Sequence, residues 1–212
     1  MKARRALFLG FTLVMVISLA LPAAAGATRE PPPPGPDIQM LRSLSGQLAA
    51  AGSAREEMWT GLPADVRDAV VAFNRISYIG VSTVAEPAQG SQGGLVSMAT
   101  AGCKSVTKSR SAYNVFGQVL WTYYQKIDWC YNGSKITSKT RIRWGDLPWY
   151  SLWQFMGHIG SSQSGGVGQW SYRAWTQGEF RFSLVGYPVQ YAYPWVDMTV
   201  YGNGTSKGSS GG

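Results

Sequence analysis

Residues 118–144 read QVLWTYYQKIDWCYNGSKITSKTRIRW, and apolar and polar side chains alternate through most of the stretch. A period of two marks a strand with one buried face. Asn132-Gly133 interrupts the alternation, and a type I′ turn needs positive φ at two central residues, which this pair tolerates best. With those two as the turn, Tyr131 faces Ser134 and the register runs back from there. Trp129 then opposes Ile136, Tyr123 opposes Ile142 and Trp121 opposes Trp144, on one face with Ile127 and Val119. The other face receives Asp128 opposite Thr137, Lys126 opposite Lys139, Tyr124 opposite Arg141 and Thr122 opposite Arg143. A one-residue slip would mix the two sets. The stretch predicts a hairpin with its rings inward and its cations outward.

The same grammar continues downstream. Strands are expected over Pro148–Met156, Gln169–Thr176, Glu179–Leu184 and around Val196, Met198 and Val200, with Gln177-Gly178 turning between two of them. Gly160–Gly168 reads as a mobile loop, and residues 205–212 as a flexible Gly/Ser tail. Several short strands separated by turn signals predict an antiparallel β-sandwich or small barrel over residues 102–204.

Upstream the period changes. Ile38, Leu41, Leu44 and Leu48 recur at helical spacing behind Asp37, a natural N-cap, and a second helix is expected from Pro63 to about Arg75. Residues 37–84 are therefore expected to be helical, either a hairpin docked on the β-domain or a pro-segment removed after export. Residues 28–36 contain four consecutive prolines, a polyproline II spacer, and 85–101 read as a linker. Residues 1–27 combine Lys2, Arg4 and Arg5, an apolar run from Ala6 to Leu21 and small residues at 23–27. That order is a secretory signal peptide, so the protein is expected to be secreted, with no transmembrane anchor once the signal is removed.

The 212 residues carry 19 Lys+Arg against 11 Asp+Glu, a formal net charge of +8. Removing residues 1–27 takes away three cations and leaves +5. Nine Trp, eleven Tyr and seven Phe supply large buried areas, and only Phe8, Phe11, Trp59, Phe73 and Tyr78 precede residue 100. One His and two Cys exclude an iron–sulfur cluster, a zinc finger or a multi-His metal site built from this chain alone. No cofactor motif is present. Cys103 and Cys130, both in the exported part, are expected to form one disulfide, contributing roughly 3–4 kcal/mol by loop closure.

Trp129–Ile136 (WCYNGSKI), Gly157–Gly160 (GHIG) and Tyr193–Met198 (YPWVDM) resemble uncharacterised secreted proteins of actinobacteria over about residues 103–204. The resemblance implies secretion and a shared β-domain and carries over no functional residue.

The residues support three function classes. In the favoured one, the protein is a non-catalytic binding module for an anionic polysaccharide or other cell-envelope polymer. Lys126, Lys139, Arg141 and Arg143 form a cationic strip, and Trp153 and Trp175, with Tyr150, Tyr191 and Tyr193, are candidates for stacking on sugars. The alternative account of the strip is a solvated face whose like charges blunt edge-to-edge aggregation. Nucleic acid is not expected, since the charge is modest and no recognition motif occurs. The second class is a small hydrolase centred on His158, which requires a serine hydroxyl or carboxylate within reach of the ring. The third is an antimicrobial or inhibitor protein released from a pro-segment.

Overall fold

The computed structural model describes residues 37–87, 101–187 and 189–212. The expected signal peptide at 1–27, the expected spacer at 28–36 and the middle of the expected 85–101 linker lie outside them. Two antiparallel sheets face each other. The first comprises β1 (Tyr78–Pro87), β2 (Gly102–Tyr113), β3 (Val119–Tyr131) and β4 (Ile136–Asp146), in that order. The second is built from β5 (Trp153–Gly165), β6 (Ser171–Phe182), β7 (Gln190–Ala192), β8 (Trp195–Tyr201) and β9 (Ser206–Gly211). Its order is β5-β6-β8-β9, with β7 also beside β6.

Alternation places Trp121, Tyr123, Ile127 and Trp129 of β3 inward, against Tyr172, Ala174, Phe180 and Phe182 of β6 and Val196, Met198 and Val200 of β8. Trp121 stacks on Phe180 at 4.7 Å between ring centroids. Cys103 and Cys130 lie directly opposite each other in β2 and β3 and are bonded. The expected mainly β architecture with one disulfide and an N-terminal helical region is thus the one observed.

The helices are α1 (Ile38–Ala50), α2 (Arg55–Thr60) and α3 (Ala64–Asn74), and Asp37 caps the first by accepting from the Gln39 amide. Their apolar sides bury Leu41, Leu48, Trp59, Val70 and Phe73 in the same core as the sheets. Buried Asn74 is the polar fastener. Its Nδ2 donates to Ser45 Oγ and the Val70 carbonyl, its Oδ1 accepts from the Leu152 amide, and its carbonyl accepts from Trp153 Nε1. Trp59 Nε1 donates to the Val185 carbonyl, and Asn114 Nδ2 to the Phe73 carbonyl. The helical pieces are too short to persist alone and are held by this packing.

Several expectations are corrected. The Asn132 side chain accepts from the amides of Ser134 and Lys135, and its own amide donates to the Lys135 carbonyl. The turn is therefore wider than two residues. Tyr131 faces Ile136, and an irregularity at Cys130/Tyr131 shifts the pairing further, so that Trp129 faces Lys139, Ile127 faces Arg141 and Gln125 faces Arg143. The displacement from the expected register is an odd number of residues, which exchanges the two faces of β4. Lys139, Arg141 and Arg143 consequently point between the sheets. Ile142 and Trp144 point out, and Trp144 stacks on Tyr124.

Gln177-Gly178 is not a turn but the interior of β6. A Cβ on Gly178 would lie 2.6 Å from the Tyr123 ring, so this glycine marks a close approach. The 160–168 loop is largely strand, since β5 runs to Gly165 and the turn to β6 begins only beyond it. Residues 205–212 are not a free tail, because Ser206–Gly211 pairs with β8. The expected helical region does not extend to residue 84, since β1 begins at Tyr78, and the strand expected from Pro148 begins at Trp153.

Candidate functional site

Two places on the sandwich gather chemistry. The first is the seam where the edge strands β4 and β5 meet. Arg141 Nε donates to Gln125 Oε1, its Nη1 to Ser161 Oγ and its Nη2 to the Trp175 carbonyl. Arg143 Nη1 donates to Thr176 Oγ1, and Lys139 Nζ reaches Gln163 Oε1 and lies 4.2 Å from the Tyr172 ring centroid. Among the described residues, no carboxylate pairs with any of these three cations. Inward-pointing charge of this kind protects a sheet edge from pairing. Lys126 does not join them: it sits on the outer face of β3 and pairs with Asp128 at 3.3 Å. The single strip read from the sequence is divided between two faces.

His158 belongs to the same seam. Its Nδ1 lies 2.8 Å from the Tyr123 hydroxyl, which also bonds Thr176 Oγ1 at 2.8 Å. Desolvation, then the charges of Arg143 and Arg141, push the imidazole below its ordinary value, while a main-chain contact with Arg143 opposes them. Burial raises the Tyr123 phenol. Among the described residues neither a serine hydroxyl nor a carboxylate bonds the ring, and Ser161 Oγ is turned to Arg141. The arrangement suits a neutral imidazole accepting from a phenol.

The second place is the outer face of the β5–β9 sheet. Inward Tyr172, Ala174 and Thr176 alternate with outward Arg173, Trp175 and Gln177, and inward Val196, Met198 and Val200 with outward Trp195, Asp197, Thr199 and Tyr201. Arg173 embraces the Asp197 carboxylate, with Nε 3.0 Å from each oxygen and Nη2 2.5 Å from Oδ2. Hydrogen bonding to Asp197 raises the guanidinium above its ordinary value. These two residues, with Thr199, Lys207, Gly208 and Ser209, line a trough of about 420 Å³.

Rings share that face of the sheet. A Cβ on Gly160 would lie 2.8 Å from the Trp175 indole, and one on Gly211 2.4 Å from the Trp195 indole. Each indole therefore rests over a glycine of the adjoining strand. Tyr201 lies beside Trp170, their centroids 6.1 Å apart, and Lys207 Nζ stands 5.7 Å from the Tyr201 centroid. Beyond Trp195, exposed Tyr191 and Tyr193 hold parallel rings 6.2 Å apart.

Of the stacking candidates, Trp175 is half-buried on this face and Tyr191 and Tyr193 are exposed, while Trp153 is only 2% exposed and belongs to the core. Tyr150 is half-buried against the helices. Arg173 and Lys207 are not singled out by sequence, whereas the alternation around Val196 and Met198 marks Asp197 as outward. Reading β9 as a tail hides the trough's third wall. Among the described residues, no group of three or more His, Cys, Asp and Glu is placed to hold a metal ion. No helix among them is long and apolar enough to cross a membrane. No family model, curated protein or solved structure matches the chain.

Proposed function

We propose that this protein is a secreted, non-catalytic module that binds an extracellular or cell-envelope polysaccharide on the outer face of its β5–β9 sheet. The observation that carries the reading is the Arg173–Asp197 trough on the same face of the sheet as Trp175, Trp195 and Tyr201. Sugar recognition needs flat apolar faces for the ring C–H surface and fixed polar groups for the hydroxyls. A bidentate ion pair offers both donors and acceptors in one rigid unit. Lys207 at the rim favours an acidic polymer, and the cations of the β4–β5 seam add a positive field that draws one in. The disulfide and the resemblance to secreted actinobacterial proteins support a place outside the cell. The helices, which share the core with the sheets, remain with the β-domain in this reading.

Co-sedimentation with peptidoglycan, with walls bearing anionic polymers and with neutral β-glucans tests it. Binding should fall at least about tenfold for Trp175→Ala or Asp197→Ala, the loss of about 1.4 kcal/mol. Added salt should weaken binding to acidic polymers more than to neutral ones. Failure to bind any polysaccharide, or binding indifferent to both substitutions, would exclude this face.

A further inference from the structure

The four sheet edges are not defended alike. The β4 edge carries inward-pointing Lys139, Arg141 and Arg143. The β5 edge is broken by irregularities at Phe155/Gly157 and His158/Gly160. The β9 edge is short and holds Lys207 among glycines and serines. These are recognised ways of preventing edge-to-edge pairing.

β1 has none of them over Tyr78–Glu86. Its nine residues carry one charge, at Glu86, and its proline lies beyond that span. Its only ladder partner among the described residues is β2. Both of its sides are open: Tyr78 is 51% exposed, Val81 55% and Val84 48%. Val81 lies on the face that points toward the second sheet and Val84 on the opposite one, so the strand overhangs the sandwich. A long edge with a single charge near one end and both faces wet is a template for another strand.

We infer that β1 pairs antiparallel with β1 of a second copy, joining two first sheets into one continuous sheet. The choice of occupant rests on the strand's fit to itself. A two-fold axis normal to the sheet keeps each face on its own side, so residues can oppose only residues of the same parity. Centred on Ser82, this register sets Ser82 against Ser82, Val81 against Thr83, Gly80 against Val84, Ile79 against Ala85 and Tyr78 against Glu86. Each larger apolar side chain meets a smaller or polar one, the two Glu86 carboxylates stay apart, and Pro87 is left outside the ladder. The inference is independent of the polysaccharide reading.

Charge exchange at Ser82 tests it, because this exposed residue meets its own copy only in the dimer. Sedimentation of the purified, disulfide-bonded chain over a wide concentration range should show a monomer–dimer equilibrium. Ser82→Lys and Ser82→Glu should each weaken self-association at least about tenfold with unchanged thermal melts, since like charges then face each other. An equimolar mixture of the two variants should recover it. A chain monomeric at every concentration would overturn the inference. So would variants that associate as well as the parent, or a mixture that stays monomeric.

Discussion

Asn74 serves two elements at once, tying α3 to α1 through Ser45 and to the start of β5 through Leu152 and Trp153. Asn74→Ala leaves the Leu152 amide unpaired in a buried site and should lower unfolding free energy by about 2–4 kcal/mol in urea titration. His158 contributes with a definite sign. The folded ring holds a proton less tightly than the unfolded one, so the unfolded state takes up protons first as pH falls past the ordinary His value near 6.5. Stability should therefore rise with pH through the window just below that value and level off above it. His158→Gln should flatten the rise, and equal pH slopes in thermal melts of parent and variant would refute the assignment. The cystine and the Asp37 cap are legible from residue type and context. The surroundings of His158 are not, because Tyr123, Arg143 and Thr176 arrive from three different strands.

At the level of elements, β3 and β4 show what alternation specifies and where it stops. It identifies a strand and its two faces, but the pairing of two strands depends on the turn between them. Asn132 uses its side chain to satisfy two amides, which lengthens the turn by two residues, and the irregularity at Cys130/Tyr131 adds the odd residue that exchanges the faces of β4. Apolar pattern alone favours Ile142 inward, whereas the seam offers Arg141 three acceptors and so accommodates its inward course. The two registers make opposite demands. Ile142→Lys should change stability by no more than about 0.5 kcal/mol, as for an open surface position. Arg141→Leu should cost about 1–3 kcal/mol by stranding Gln125 Oε1 and the Trp175 carbonyl. Denaturant unfolding of the two variants measures both, and the reverse ranking would restore the two-residue turn. The strands at 160–165 and 206–211 escape a reading of the sequence because Gly and Ser count as breakers, when here they are partners for neighbouring rings.

Across the whole molecule, the sandwich is closed at one end by the helices and tied between β2 and β3 by Cys103–Cys130. Replacing both cysteines by serine should remove roughly 3–4 kcal/mol, measured by denaturant titration as a lower midpoint with a steeper slope, because the unfolded chain without the cross-link exposes more surface. The architecture is legible because period, turn signals and cysteine count all concern local or pairwise facts. The trough is not, since it exists only once β6, β8 and β9 lie side by side. The rings at Trp175, Trp195 and Tyr123 each occupy the volume where a facing residue would carry its β-carbon. The chain's abundance of glycine and its abundance of aromatics are thus, in part, a single property counted twice. Drift at Gly160 or Gly211 is coupled to the size of the indole across the ladder, and drift at Gly178 to that of the Tyr123 ring in the facing sheet: a methyl group gained on one side obliges a smaller or displaced ring on the other.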